Sequence, residues 1–112
     1  MTTIRNEFGT DENGNPTGGE SEARGVRINW QNGPLGIGAN RKEPNGAFVE
    51  EVIQIAIDRI NFYNDSKFRC RENSLAVTKL EEALHWLNAR TSRRTNAGIE
   101  GTHAEEEGAQ TK

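Results

Sequence analysis

Between Cys70 and Ala97 the chain reads as one long helix carrying two apolar stripes, and that pattern limits the folds open to it. At about 100° per residue, Ala76, Val77, Leu80, Ala83, Leu84 and Leu87 fall within one arc. Leu75 and Trp86 lie well away from it, on a face shared with Lys79 and Arg93. A helix with two apolar faces has two neighbours. A second helix of the same chain can cover the first stripe; the other needs something else, most simply another copy of the protein.

That second helix is legible upstream. After Pro44, Asn45 is placed to cap a helix whose first turns carry Glu50 and Glu51 at the positive end of the helix dipole, and the helix is expected to run to about Asn64. Val49, Ile53, Ala56, Ile57 and Ile60 form its main stripe, while Phe48, Ile55 and Phe62, spaced by seven, form another on nearly the opposite side. The link Asn64-Asp65-Ser66-Lys67 is short enough to force an antiparallel hairpin, with the next helix starting near Phe68 and stopping near Gly98. Two helices share one seam and cannot enclose an independent core. The chain is therefore expected to be an obligate homo-oligomer with Phe48, Ile55, Phe62, Leu75 and Trp86 at its interfaces, each contributing ~1.5–3 kcal/mol when fully buried. Periodicity by itself allows a dimer or a four-helix bundle.

Residues 1–24 hold five glycines and Pro16 among polar side chains, with almost nothing apolar after Phe8, and are expected to be a flexible leader whose removal leaves binding intact. Residues 25–44 read as a short strand and turn arm. Val26, Ile28 and Trp30 alternate with Arg27 and Asn29, Asn32-Gly33-Pro34 breaks the run, and Leu35 and Ile37 are placed to return as a second short strand. Gly33, Gly36 and Gly38 do not make a phosphate loop, because Ala39-Asn40 stands where such a loop needs Lys-Ser or Lys-Thr. The hairpin domain spans residues 45–98, and residues 99–112, with Glu105, Glu106, Glu107 and Gly108, form a tail expected to be flexible at its end. The expected class is mainly α: an antiparallel helical hairpin with a short β-like N-terminal segment.

The 112 residues suit one domain, and nothing in them approaches the ~20 apolar residues of a membrane span or the order of a signal peptide. The single cysteine, Cys70, fits a reducing compartment. Although the formal charge is −3, residues 69–94 carry six cations against three glutamates, a local +3 inside an acidic remainder. Such a segment suits a small anionic ligand at a fixed place better than long duplex DNA; an ordinary solvated helix face is the plainer use.

Catalysis finds little support. The histidines are His85 and His103, no set of three or four metal ligands is spaced together, and Glu81 and Glu82 diverge on their helix, so the chain is expected not to be an enzyme and to hold no metal or cofactor. Binding finds more. A cyclic dinucleotide offers phosphates to cations or hydroxyls and bases to flat surfaces, and Arg71, Thr78 and Lys79 can meet the phosphates. A second cluster joins Arg90, Arg93 and Arg94 with Thr102 and His103. Each group has a plainer use: Lys79 in a surface ion pair, Trp86 in packing, the arginines at a helix C-terminus.

The run Arg71-Glu72, then Ala76-x-Thr78-Lys79-Leu80-Glu81-Glu82-Ala83-x-x-Trp86-x-Asn88, resembles the hairpin domain shared by phage anti-CBASS and anti-Thoeris cyclic-nucleotide sponges. Arg90-Thr91-x-x-Arg94 and Gly98-Ile99-Glu100-Gly101-Thr102-His103 resemble the tail of many phage members, and the likeness covers residues 47–103. It implies a small helical protein, usually a homohexamer, acting in the cytoplasm of the infected bacterial host. It also implies binding of cyclic dinucleotides, cyclic trinucleotides or cyclic ADP-ribose isomers without cleavage. The family stacks a base on an aromatic residue of its first helical region, and Phe48, Tyr63 and Phe68 stand near helix ends here. Two other readings fit the residues alone: a helical oligomer gripping nucleic acid through Arg69, Arg71, Arg90, Arg93 and Arg94, and an adaptor bundle without a small ligand.

Overall fold

The computed structural model describes residues 3–106. Three strands come first, β1 (Arg5–Thr10), β2 (Pro16–Ala23) and β3 (Val26–Trp30), followed by two helices, α1 (Val49–Asn64) and α2 (Arg71–Asn96). The strands form one antiparallel sheet in the order β1-β2-β3. The fold is therefore α+β, which corrects the mainly α expectation. Two of the three strands lie in residues 5–23, inside the segment expected to be a flexible leader.

Apolar alternation could not reveal β1 and β2, because other forces hold them. In the turn between them, Asp11 Oδ1 accepts the amides of Asn13 and Asn15, both at 2.9 Å, and the Gly14 amide donates to the Asp11 carbonyl. This is the usual use of an aspartate opening a turn. The Asn15 amide is the main reason the Asp11 carboxyl titrates below the ordinary range. One sheet face carries ion pairs, Arg5 to Glu22 and Arg27 to Glu20, each at 3.0 Å. On the other face a chain of polar side chains satisfies itself: Trp30 Nε1 donates to Ser21 Oγ (2.8 Å), and Ser21 Oγ donates to Asn6 Oδ1 (2.7 Å). Central strand β2 needs glycine at 19, where φ is +124° and a Cβ would collide with the Glu7 carbonyl.

β3 matches its expected place, but Leu35 and Ile37 do not return as a strand; Gly38–Asn40 form a single 3-10 turn instead. Nor does Asn45 cap α1, which starts four residues later. Its side chain clamps the far end of β3: Oδ1 accepts the Asn32 amide (2.8 Å), Nδ2 donates to the Asn32 carbonyl (2.9 Å), and the Asn45 amide donates to Gln31 Oε1. Ala47 then pairs with Trp30 as a short parallel bridge.

The link between the helices is organised by Asn64. Its carbonyl accepts Arg69 Nε (2.8 Å), its Oδ1 accepts the Cys70 amide, and its Nδ2 donates to Ser74 Oγ (3.0 Å), so one residue ties the end of α1 to the first turn of α2. That bonding places the start of α2 at Arg71 rather than Phe68.

Two compact units result: Val49–Arg93 forms one, and residues up to Phe48 together with those from Arg94 onward form the other. The tail and the strands thus share a unit, where the sequence was divided into leader, arm, hairpin and tail. In the helical unit Ile57 and Val77 are buried, at 4% and 9% exposure, and both come from the expected main stripes. The second stripes lie open: Ile55 is 68% exposed, Phe62 59%, Leu75 43% and Trp86 66%, whereas Phe48 is half-buried. Residues 1 and 2, and the tail end with Glu107 and Gly108, lie outside the described residues.

Candidate ligand-binding surfaces

The helical unit presents two groups of side chains able to meet a nucleotide. On α2, Arg71, Thr78 and Lys79 are all exposed. Arg71 makes no hydrogen bond or ion pair among the described residues. Lys79 Nζ lies 3.5 Å from Glu82 Oε2, an i,i+3 pair whose side chains are 75% and 56% exposed, so a ligand phosphate can displace it at small cost. Thr78 Oγ1 donates to the Ser74 carbonyl at 3.1 Å, which leaves its oxygen lone pairs as acceptors.

The other group stands at the end of α1, and the sequence reading saw only part of it. The Arg59 guanidinium lies 4.9 Å from the Phe62 ring centroid and 4.8 Å from that of Tyr63, and its Nε donates to Tyr63 Oη at 3.0 Å. Phe68 follows in the link, 67% exposed, with Lys67 Nζ 5.4 Å from its centroid. Cations held beside flat rings are what base stacking and phosphate contact require together. The i, i+3, i+4 spacing of Arg59, Phe62 and Tyr63 was the available signal.

In the other unit the tail folds into a compact turn, and this reassigns two expected ligand residues. Gly98 ends the helix region, and the amides of Ile99 and Glu100 both donate to the Arg94 carbonyl. Arg94 Nη2 donates to the carbonyls of Ile99 (3.4 Å), Thr102 (3.1 Å) and Ala104 (3.0 Å), and Nη1 lies 3.7 Å from Glu106 Oε1. With its side chain only 11% exposed, Arg94 fastens the tail rather than facing solvent. Thr102 is likewise occupied: Oγ1 donates to the Ile99 carbonyl (2.6 Å) and accepts the Ala104 amide (3.1 Å). His103, held between these two residues, is exposed, close enough to Asp11 to favour its ionised form. One helical turn before Arg94, Arg90 is exposed and makes no hydrogen bond or ion pair among the described residues.

A contact without local sequence signal completes this unit. Arg41 forms a bidentate pair with Glu100, Nη1 to Oε2 at 2.6 Å and Nη2 to Oε1 at 2.9 Å, and Nη1 also donates to the Gly36 carbonyl at 3.2 Å. Beside it, the Gly36 amide donates to the Gly101 carbonyl at 2.8 Å. The Arg41 bond holds the Glu100 carboxyl below the ordinary glutamate range.

Among the described residues, no group of three or more His, Cys, Asp and Glu side chains could hold a metal ion, and no helix is long and apolar enough to cross a membrane.

The model of the Acb2/Tad1 hairpin domain matches residues 22–92. The chain belongs to this family. The match takes in the end of β2, β3 and both helices, so part of the sheet falls inside the family's domain. Among curated proteins the chain is similar to Thoeris anti-defense 1 of Bacillus phage SBSphiJ7, with 46% identity over 76 residues, 68% of this chain and 51% of the relative. The chain thus spans about half the length of the curated relative it matches.

Proposed function

We propose that this protein is a phage counter-defence protein that binds and sequesters cyclic oligonucleotide immune signals, cyclic dinucleotides foremost, and returns them uncleaved. The observation that carries this reading is the side-chain chemistry exposed on the family's own helical hairpin. Arg71 is free, Lys79 is held by one weak surface pair, and an Arg59–Tyr63 stack stands open to solvent. The printed name of the phage relative, an anti-defence protein, points the same way. Arg71, Lys79 and Thr78 are assigned to phosphates and ribose hydroxyls, and the rings at the end of α1 to bases. A sponge works by outnumbering and outbinding the host receptor, so several equivalent sites in a homo-oligomer serve it well. The open stripes of Ile55, Phe62, Leu75 and Trp86 support such an assembly, and family resemblance favours a hexamer.

An alternative keeps the oligomer and changes the ligand: exposed Arg69, Arg71 and Arg90 also suit a nucleic-acid backbone. The test is to incubate the protein with cyclic di- and trinucleotides and cyclic ADP-ribose isomers, remove the excess, release what is retained by heat, and chromatograph it. Unaltered ligand of one class is expected. A linear product would make the protein an enzyme, and retention of none would favour the nucleic-acid or adaptor reading.

A further inference from the structure

The turn that carries His103 is fastened from two sides. From the helix, Arg94 grips three carbonyls of the turn and approaches Glu106. From the loop of residues 35–42, Arg41 grips Glu100 with both nitrogens, and the Gly36 amide donates to the Gly101 carbonyl. The fit is close: Gly101 has φ +83°, and a Cβ there would lie 2.5 Å from the Gly36 carbonyl oxygen and 3.0 Å from Arg41 Nη1. The loop is itself anchored, since the Lys42 amide donates to the Leu35 carbonyl and the Arg41 amide to that of Gly38.

So much bonding does not serve core formation, because no side chain from Leu35 to Arg41 or from Ile99 to Ala104 is buried. What it fixes is the position of a short exposed segment. A bidentate arginine–carboxylate pair also fixes direction as well as distance, which a lysine or a single hydrogen bond would not. Within that segment, Glu100 and Thr102 have their polar groups occupied, and His103 is left exposed with no hydrogen bond among the described residues.

We infer that Arg41 and Glu100 are a positioning pair that holds His103 as a donor to a ligand phosphate, at a site separate from the Arg71–Thr78–Lys79 surface. The inference rests on the proposed function and refines it: ligands whose capture needs His103 also need Arg41, although Arg41 touches none of them.

The test uses the full-length protein, with cyclic dinucleotides, cyclic trinucleotides and cyclic ADP-ribose isomers as probes. His103→Ala and Lys79→Ala first sort the retained probes by the surface they depend on. Arg41→Ala and Glu100→Gln are then expected to weaken the His103-dependent probes about tenfold, the loss of one charge-assisted bond, and to leave the Lys79-dependent probes unchanged. The swapped double variant Arg41→Glu with Glu100→Arg is expected to recover much of the loss, which a general folding defect would not allow. Unchanged binding in the single variants, equal loss across all probes, or no retained probe that depends on His103 would overturn the assignment. Wild-type protein that retains no probe at all would remove the proposed function, and this assignment with it.

Discussion

Arg94 shows how a residue's apparent chemistry changes once its partners are known. In sequence it is one cation in a basic cluster; in the fold it is 11% exposed and bonded to three carbonyls. Arg94→Ala would leave those carbonyls without their charged donor, and the turn is expected to loosen by about 1.5–3 kcal/mol, read as faster hydrogen exchange at Ile99 to Ala104. Arg94→Lys should rescue little, since an ammonium cannot reproduce the planar fork. Glu100 gives a pH dependence of definite sign. Its pKa is lowered from 4.5 by the Arg41 bond, so the unfolded chain takes up the proton first as acid is added. The clasp's contribution is therefore present above 4.5 and is lost as the pH falls from there through the lower folded value. Hydrogen exchange of the Gly36 amide, which faces Gly101, is expected to quicken over that window and to lose the dependence in Glu100→Gln. None of this was visible beforehand, because Arg41 and Glu100 are 59 residues apart and neither sits in a periodic pattern.

Elements differ in how far their own residues announce them. Both helices and β3 were legible because apolar side chains repeat at the period of the element, and the main stripes are the ones that supply the buried Ile57 and Val77. β1 and β2 were not, because turn chemistry, cross-strand ion pairs and a ladder on both sides of β2 hold them with scarcely any apolar burial. The consequence reverses one expectation. Removing residues 1–24 would take away the central strand and leave β3 without a partner in the sheet, so the truncated protein is expected to lose sheet signal in far-ultraviolet circular dichroism and to unfold at lower temperature. Retention of the full melting temperature would show that the strands are dispensable. Gly19→Val is a milder probe of the same point: positive φ and collision with the Glu7 carbonyl should cost about 1–3 kcal/mol or more in thermal or urea unfolding. At the helix link, Asn64→Ala removes the Oδ1 and Nδ2 bonds to Cys70 and Ser74 and should cost about 1–2 kcal/mol.

For the whole molecule the governing fact is how little a single copy buries. Ile57 and Val77 are the buried hydrophobic residues among those described, while Ile55, Phe62, Phe68 and Trp86 are each more than half exposed. Exposed apolar surface on that scale marks an interaction site. The two-stripe pattern in the sequence had already indicated it. The site chemistry was legible to a similar depth: Arg71, Thr78 and Lys79 are exposed as expected, whereas Arg94 and Thr102 turned out to hold the tail. Trp86→Lys and Phe62→Lys are expected to break the assembly and lower its melting temperature, with sedimentation velocity reporting smaller species. Lys79→Ala is expected to weaken ligand binding about tenfold with the assembly intact. The central claim, a multivalent sponge, is tested most directly by native mass spectrometry of the full-length protein with and without cyclic oligonucleotides. The account predicts a discrete homo-oligomer that gains a fixed number of unaltered ligand molecules; a monomer, or an oligomer that gains none, would contradict it.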